Sequence, residues 1–357
     1  MLKPLNMQEN GSNAFPICTP PSLHSKKTDN GVPLLQKGAI NFYMNMPCPL
    51  KVVAKIVIGE FVEEYNATHE TPIYSPMLHD GHSKEIESEL KAARTEDEIP
   101  EVLVASGLHT IFSQGFKQRF MDTGIYTGFT CDDALKKMPY EYQKLLTHHN
   151  IGIVATGYWS IVCDLTVPLN VPYPRSWDSL IDPMYRDLIT VHGYNGKASI
   201  AAILLVLRER LGESAVQKLA GNIRHVWHFA EILKRMDSPE SRRAPFNILP
   251  NAATVQIPSR KRVGILEFEE GPVLAPMFMF VKTSKMAECQ PLIDLFFSQK
   301  MRKALRRGNF QMVDEVDWRE PFVYPSWDFL IQNDYEAVNE ALHEEFRKGL
   351  RHDAFQN

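Results

Sequence analysis

The sequence predicts an α/β protein of two lobes, each a mostly parallel β-sheet flanked by helices, with two hinge strands joining them. Three observations carry this reading. Strand and helix patterns alternate from residue 39 onward, and the strands are near-continuous apolar runs of the kind buried on both faces. Two long β segments, 150–168 and 265–283, bracket an inner block, so the outer lobe is discontinuous in sequence. At 357 residues and 44% hydrophobic, the chain exceeds what one core serves and divides into two domains of ordinary size.

In chain order, residues 1–38 carry Pro16, Pro20, Pro21, Pro33 and several glycines without an apolar run or a period, and read as a flexible extension. AINFYMNMP (39–47) is a strand, followed by a helix from Pro49, which suits a first helical turn. The spacing gives that helix an inner face of Val53, Ile56, Val57, Phe61 and Tyr65. TPIYSPML (71–78) is a second strand. Ser83 caps a helix with Ile86, Leu90 and Ala93 inward and Glu85 and Glu87 in its first turn. IPEVLVASG (99–107) is a third strand, completing a β-α-β-α-β order. NIGIVATGYWSIVCDLTVP (150–168), with Gly157 inside it, is long enough to leave one lobe and enter the other, and ILEFEEGPVLAPMFMFVKT (265–283) returns. The lobes are then 39–165 plus 269–330, and 166–268. The end of the chain, 331–357, is an amphipathic helix with Tyr335, Val338, Leu342 and Phe346 inward, packing across a lobe.

Composition excludes several functions. The net charge of −4, with no Lys/Arg run interleaved with aromatics, speaks against a nucleic-acid surface. No eighteen-residue apolar run exists, so no membrane-embedded helix is expected. Five widely spread cysteines without C-x-x-C spacing indicate neither a disulfide framework nor structural zinc. No export signal is legible, which reads as cytoplasmic for the sequence as written, and the chain is expected to act as a monomer.

Ligands on open α/β sheets sit beyond the carboxyl ends of the strands. Those ends supply the candidate binding residues: Cys48, Ser106, His109, Thr156 and Tyr158 from the outer lobe, and Asn195, Lys197 and Ser199 from the inner lobe. A strand ahead of Gly193-Tyr194-Asn195-Gly196 feeds an apolar helix through an Asn-Gly-Lys-Ala-Ser loop, whose amides at 197–199 suit an oxyanion with Lys197 adding a point charge. His79 and His82, three apart, are candidate metal ligands with Cys48 or His109, sulfur and imidazole being donors for transition metals. Structural readings stand beside these: Cys48 as a small buried helix cap, and 79–82 as a solvated turn.

The segment Pro174-Arg175-Ser176-Trp177-Asp178-Ser179-Leu180-Ile181-Asp182-Pro183-Met184-Tyr185 resembles the Trp-acidic turn that opens lobe two in extracellular solute-binding proteins of ABC transporters, in the iron/polyamine/molybdate-like branch. Phe268-Glu269-Glu270-Gly271-Pro272-Val273 with Lys282 is similar to that family's returning crossover, and Pro291 to Gln299 to one of its helices. The similarity spans 150–312 well and 39–149 in layout. It implies the type II periplasmic binding protein fold, closure on a small ligand such as an oxyanion, small carboxylate or metal chelate, no required cofactor beyond a bound metal ion, a permease partner, and a periplasmic location if the N-terminus has been trimmed. The adjacent tyrosines with which members hold bare ferric ion do not occur here. The alternative is an intracellular enzyme or ligand sensor on the same fold, with Cys48 and His79 or His109 as nucleophile and base. No nucleophile elbow, P-loop, H-E-x-x-H or dinucleotide fingerprint is present.

Overall fold

The structure, a computed structural model, describes residues 1–4, 32–79, 83–108, 110–194, 197–236, 243–257 and 262–351. The strands are β1 (Leu2–Pro4), β2 (Ile40–Asn45), β3 (Ile73–Tyr74), β4 (Val102–Ser106), β5 (Tyr126–Gly128), β6 (Gly152–Asp164), β7 (Ile189–Tyr194), β8 (Lys197–Ala198), β9 (Ile223–Trp227), β10 (Phe246–Pro250), β11 (Val263–Leu266), β12 (Leu274–Lys282) and β13 (Gln311–Met312).

The architecture is α/β and two-lobed, but its sheets are mixed rather than mostly parallel. In the first lobe, β3, β2 and β4 are parallel neighbours, and β12 joins them antiparallel to β4. In the second, β10, β7 and β9 are parallel, with β6 antiparallel to β10. The long β6 belongs to both. Its residues 152–158 pair with β12, and its residues 159–163 pair with β10. An extended strand supplies hydrogen-bonding groups along its whole length, so one strand can end one sheet and begin the next.

Each sheet is covered on both faces. In the first lobe Phe42, Met44, Val102 and Val104 pack under the helices Cys48–Asn66, Met286–Phe297 and Gln299–Arg307. Tyr43, Leu103 and Ala105 meet Ile86, Leu90, Phe112 and Phe116 on the other side. In the second lobe Ile161, Val191 and Ile248 lie against the helix Ala201–Leu211, which buries Ala202 through Leu207 without a gap. Burial on every side follows from an all-apolar sequence there, with the helices Ser214–Asn222 and Tyr335–Gly349 closing over it.

Three local expectations change. The helix Cys48–Asn66 buries Leu50, Val53, Ala54, Ile58 and Val62, while Ile56 is 58% exposed. This helix is apolar around most of its circumference, so several faces fit the periodicity equally well. Strand 71–78 shrinks to Ile73–Tyr74, because Pro76 opens a 3₁₀ turn to His79. The extension assigned to 1–38 is not wholly outside the fold. Leu2–Pro4 adds a strand to β11, Met1 N donates to Glu267 O at 2.5 Å, and Leu34 is buried. A three-residue strand is too short to carry a pattern, and β11 otherwise leaves an edge of unpaired backbone groups.

The Trp177 turn holds the return crossing. Trp177 Nε1 donates to Gly271 O at 3.0 Å, its backbone N–H donates to Glu270 Oε1 at 2.7 Å, and Phe268 meets the indole edge-on at 5.4 Å. Arg210 bridges Glu270 and Asp178. A further segment lies alongside: Val323 N donates to Pro272 O and Leu274 N to Val323 O, both at 2.9 Å. Trp159 N donates to Val273 O at 2.8 Å, so the crossings form one bonded bundle.

Candidate functional site

Strand direction decides where a solute would sit. The first half of β6 runs with β4, so it leaves the first lobe at the edge where β2 and β4 end. Its second half runs against β10, which places Pro250, the last residue of β10, opposite Trp159. The carboxyl ends of both parallel sets therefore face each other across Tyr158 and Trp159, both partly exposed.

On the first-lobe side Ser106 ends β4, partly buried, and Gly107 follows in a left-handed turn (φ 73°) with its N–H on Pro276 O. Asn45, at the end of β2, donates to Glu87 at 2.7 Å. Thr156 is 5% exposed, and its hydroxyl donates to Gly157 O at 2.9 Å. Tyr158 reaches across to Asn251 of the second lobe. Burial pushes the phenol's pKa up, and the Asn251 side chain opposes that shift.

On the second-lobe side β8 pairs antiparallel with β7, with Lys197 opposite Tyr194 and Ala198 opposite Gly193. The N–H of Ser199 is spent on His192 O at 2.9 Å, and the helix begins only at Ala201. Lys197 and Ser199 are exposed, and the charge of Lys197 bears on His343 of the last helix. Asn195, His82 and His109 lie outside the described residues, as does the side chain of Cys48. His79 is exposed, stacks on Tyr74 at 5.4 Å, and lines a groove beside the helix Cys48–Asn66. Among the described residues, no three His, Cys, Asp or Glu side chains converge as a metal site.

The structure brings together a group that the sequence did not single out. His192 lies two residues before the end of β7, His228 follows β9, and their rings lie 5.4 Å apart at 72°. The His192 ring is 6.5 Å from Trp159, across the end of β10, and 5.7 Å from Phe229. Each imidazole accepts a backbone N–H at Nδ1: Phe229 N on His192 at 3.1 Å, and Ala230 N on His228 at 3.3 Å. Both residues keep some exposed surface. A single histidine at a strand end has no sequence period, and only the parallel register places these two side by side.

Burial, with His228 next to it, lowers the His192 pKa from 6.5 to about 4. An unfolded imidazole takes up a proton near pH 6.5, so between there and pH 4 the unfolded chain binds more protons than the folded one, and stability falls as pH falls. Urea unfolding at pH 7 and pH 5 is expected to give a smaller pH loss for His192→Phe than for the unsubstituted chain. Equal losses would show that His192 is not held neutral.

The two rims also touch at the sides. Asn309 Nδ2 donates to Thr254 Oγ1 at 3.0 Å and to Asn251 O at 3.3 Å, and Ala252 is buried in the first lobe's core. On another side the helix Tyr335–Gly349 spans both lobes. At its start Gln114 N donates to Asp334 Oδ1 at 3.0 Å, and Lys91 pairs with Glu336 at 2.9 Å. Near its end Glu345 meets Arg208 at 3.4 Å, while Leu342 and Phe346 are buried.

Residues 97–333 match the family model described as bacterial extracellular solute-binding protein. No curated protein matches the chain in sequence. Among solved structures, apo ferric ion-binding protein A of Pasteurella haemolytica aligns over 86% of this chain and 98% of its own, at 14% identity and a TM-score of 0.58. AfuA of Actinobacillus pleuropneumoniae, with fructose-6-phosphate bound, aligns over 87% and 99%, at 12% identity and 0.59. A Trichodesmium protein in complex with iron and citrate aligns over 88% and 100%, at 13% identity and 0.57. At these identities the likeness is one of fold, the type II periplasmic binding protein fold.

Proposed function

The chain belongs to the bacterial extracellular solute-binding proteins, a non-enzymatic family of the ABC transport type, and from that premise we propose that it holds a small solute between the carboxyl edges of its two lobes. The observation that carries the proposal is the passage of β6 from one sheet to the other at Tyr158 and Trp159, which sets the two carboxyl edges face to face. A solute touching both edges stabilises whichever lobe arrangement brings them together, and so shifts the population toward it.

We assign Ser106 and Tyr158 to the first-lobe wall and Ser199 to the second. Lys197 supplies charge at the rim, and Thr156 supports the floor of the cleft. Cys48, His109 and Asn195 stay candidates on sequence grounds, as does His79 with His82 for a metal. The solute class is an oxyanion, a small carboxylate or a metal chelate. Delivery to an ABC permease follows from the family, as does a place outside the cytoplasm. Among the described residues no helix is long and apolar enough to cross a membrane. The enzyme reading on Cys48 and His109 has no support from the family.

The test is small-angle X-ray scattering of the purified chain during titration with oxyanions, carboxylates, and ferric iron with and without citrate, paired with native mass spectrometry and elemental analysis. One solute is expected to bind with a stoichiometry of one and to reduce the radius of gyration. Binding without any compaction, or no binding across the panel, overturns closure on a solute.

A further inference from the structure

The last helix, Tyr335–Gly349, is held by the two lobes in different ways. Its second half belongs to the second lobe: it lies on the helices Ser214–Asn222 and Ala201–Leu211, Glu345 pairs with Arg208, and a Cβ at Gly349 would come within 2.3 Å of Gln217 O. The segment before it belongs to the first lobe. Buried Lys117 donates through Nζ to Ile331 O at 2.5 Å and to Leu330 O at 3.4 Å, which fixes the end of the helix Trp327–Gln332. The change of lobe falls at Asp334. Its Oδ1 accepts Gln114 N of the first lobe at 3.0 Å and Glu336 N of its own helix at 3.4 Å, so one carboxylate ties the two together.

Past that joint the helix carries Glu336 and Glu340, one turn apart and so on one face. Lys91 of the first-lobe rim pairs with Glu336 at 2.9 Å, and Glu340 also bears on its charge. Arg94 Nη1 and Arg119 Nη2 both donate to Lys91 O, at 3.3 and 3.4 Å. Among the described residues neither arginine has a carboxylate in ion-pair contact, and Glu340 has no cation. Burial, then Arg94, lowers the Arg119 pKa, while Glu336 opposes that shift. We propose that this helix is a lever pivoting at Asp334, and that Glu336 and Glu340 pairing with Lys91, Arg94 and Arg119 latch the lobes in the closed arrangement. The proposal rests on the lobes moving as read above. The helix touches Thr110–Phe112, which follows β4, and β8, which follows β7, so it lies beyond both carboxyl edges. A motion that brings those edges together presses the first half of the helix onto the basic rim. At 1.5 Å per residue, Glu340 is about 9 Å and Gly349 about 22 Å from Asp334. A swing of about 15°, the size of a known rigid-body transition, moves them by about 2 Å and about 6 Å. The smaller shift already makes or breaks an ion pair, whose reach is about 4 Å.

The experiment uses the full chain, first without solute. Small-angle X-ray scattering and hydrogen exchange are read at about 10 mM and about 1 M salt, where charges are screened over about 30 Å and about 3 Å. The variants are Glu336→Lys with Glu340→Lys, Lys91→Met, and Glu344→Gln as a control that removes only the Lys348 pair within the same helix. High salt is expected to enlarge the radius of gyration and to speed exchange over 333–341, leaving 342–350 protected because that half stays on the second lobe. The double lysine variant should show both changes already at low salt, Lys91→Met a smaller version, and Glu344→Gln neither. With citrate or fructose 6-phosphate as probe, the double variant should bind about two- to fivefold more weakly, the range for exposed ion pairs.

A radius and exchange pattern that ignore salt overturn the latch. So does exchange that rises over 333–350 as one unit, or a double variant that matches the unsubstituted chain. If neither probe binds, scattering and exchange decide alone. Should a solute compact the chain while the seam stays inert, only the latch is lost. Should the seam respond as expected while no solute compacts the chain, the latch stands and the solute-binding reading falls.

Discussion

Arg243→Met is expected to lower the stability of the chain by about 3–5 kcal/mol, read as a shifted urea midpoint with an unchanged slope. Arg243 Nη1 donates to Asp164 Oδ2 at 2.6 Å, to Thr166 Oγ1 at 2.7 Å and to Met236 O at 3.2 Å. Both partners of the pair are nearly sealed, with side-chain exposures of 7% and 3%. Removing the guanidinium leaves the Asp164 carboxylate desolvated, with the Thr166 N–H at 3.0 Å and the Thr166 hydroxyl at 2.6 Å as its remaining side-chain partners among the described residues. The cost comes from stranding a charge, so the double variant Arg243→Met with Asp164→Leu is expected to regain most of the loss. If the double variant is as unstable as the single one, the geometry rather than the charge is what matters. Asp164 ends β6 at the far side of the second lobe from Trp159, so solute affinity of the folded single variant should not change.

Gly271→Ala is the second large effect. Gly271 has φ +83°, and a Cβ there would lie 1.7 Å from Pro321 O and 2.5 Å from Pro321 C. Neither backbone is free to retreat, since Val323 N–H is bonded to Pro272 O and Leu274 N–H to Val323 O. A loss above about 4 kcal/mol, or failure to fold, is expected. Gly212 isolates the cause. Its φ is +82° with ψ 175°, an extended region that essentially only glycine adopts, yet nothing lies within 4 Å of a Cβ there, so Gly212→Ala should show only the backbone strain of about 1–3 kcal/mol. Similar losses in the two variants would mean that the crossing segments do yield. A surviving Gly271→Ala protein should also close differently on solute, because the added methyl pushes apart the segments about which the lobes move.

Much of the fold was legible because its signals are local. The alternation of strand and helix from residue 39, the length of the segment around Gly157, and the Trp177 turn each reflect a few neighbouring residues, and the structure uses Trp177 to pin the crossover. The amphipathic run ending in Leu342 and Phe346 was legible for the same reason. What stayed hidden depends on partners far away in sequence. Ile56 looked as buriable as Ile58, and only packing against the helix Gln299–Arg307 chose between them. Residues 197–199 looked like the start of an open loop, but Lys197 and Ala198 pair with Tyr194 and Gly193 on β7. His192 and His228 became a pair only through the parallel register of β7 and β9. Of the first-lobe residues, Ser106 and Tyr158 do come to the carboxyl edge, because strand ends can be read from where apolar runs stop.

The helix Tyr335–Gly349 has a consequence for how the protein is made. It is synthesised after both lobes, yet its contacts reach back to Gln114 and Lys91 on one side and to Arg208 on the other, and Leu342 and Phe346 fill the core beneath it. Until those residues leave the ribosome, the apolar helix Ala201–Leu211 has one flank open to water, and the discontinuous first lobe also waits for β12. Folding therefore cannot finish lobe by lobe during synthesis. The long sequence separations slow the last step, and until then the chain exposes an apolar flank of the kind that aggregates.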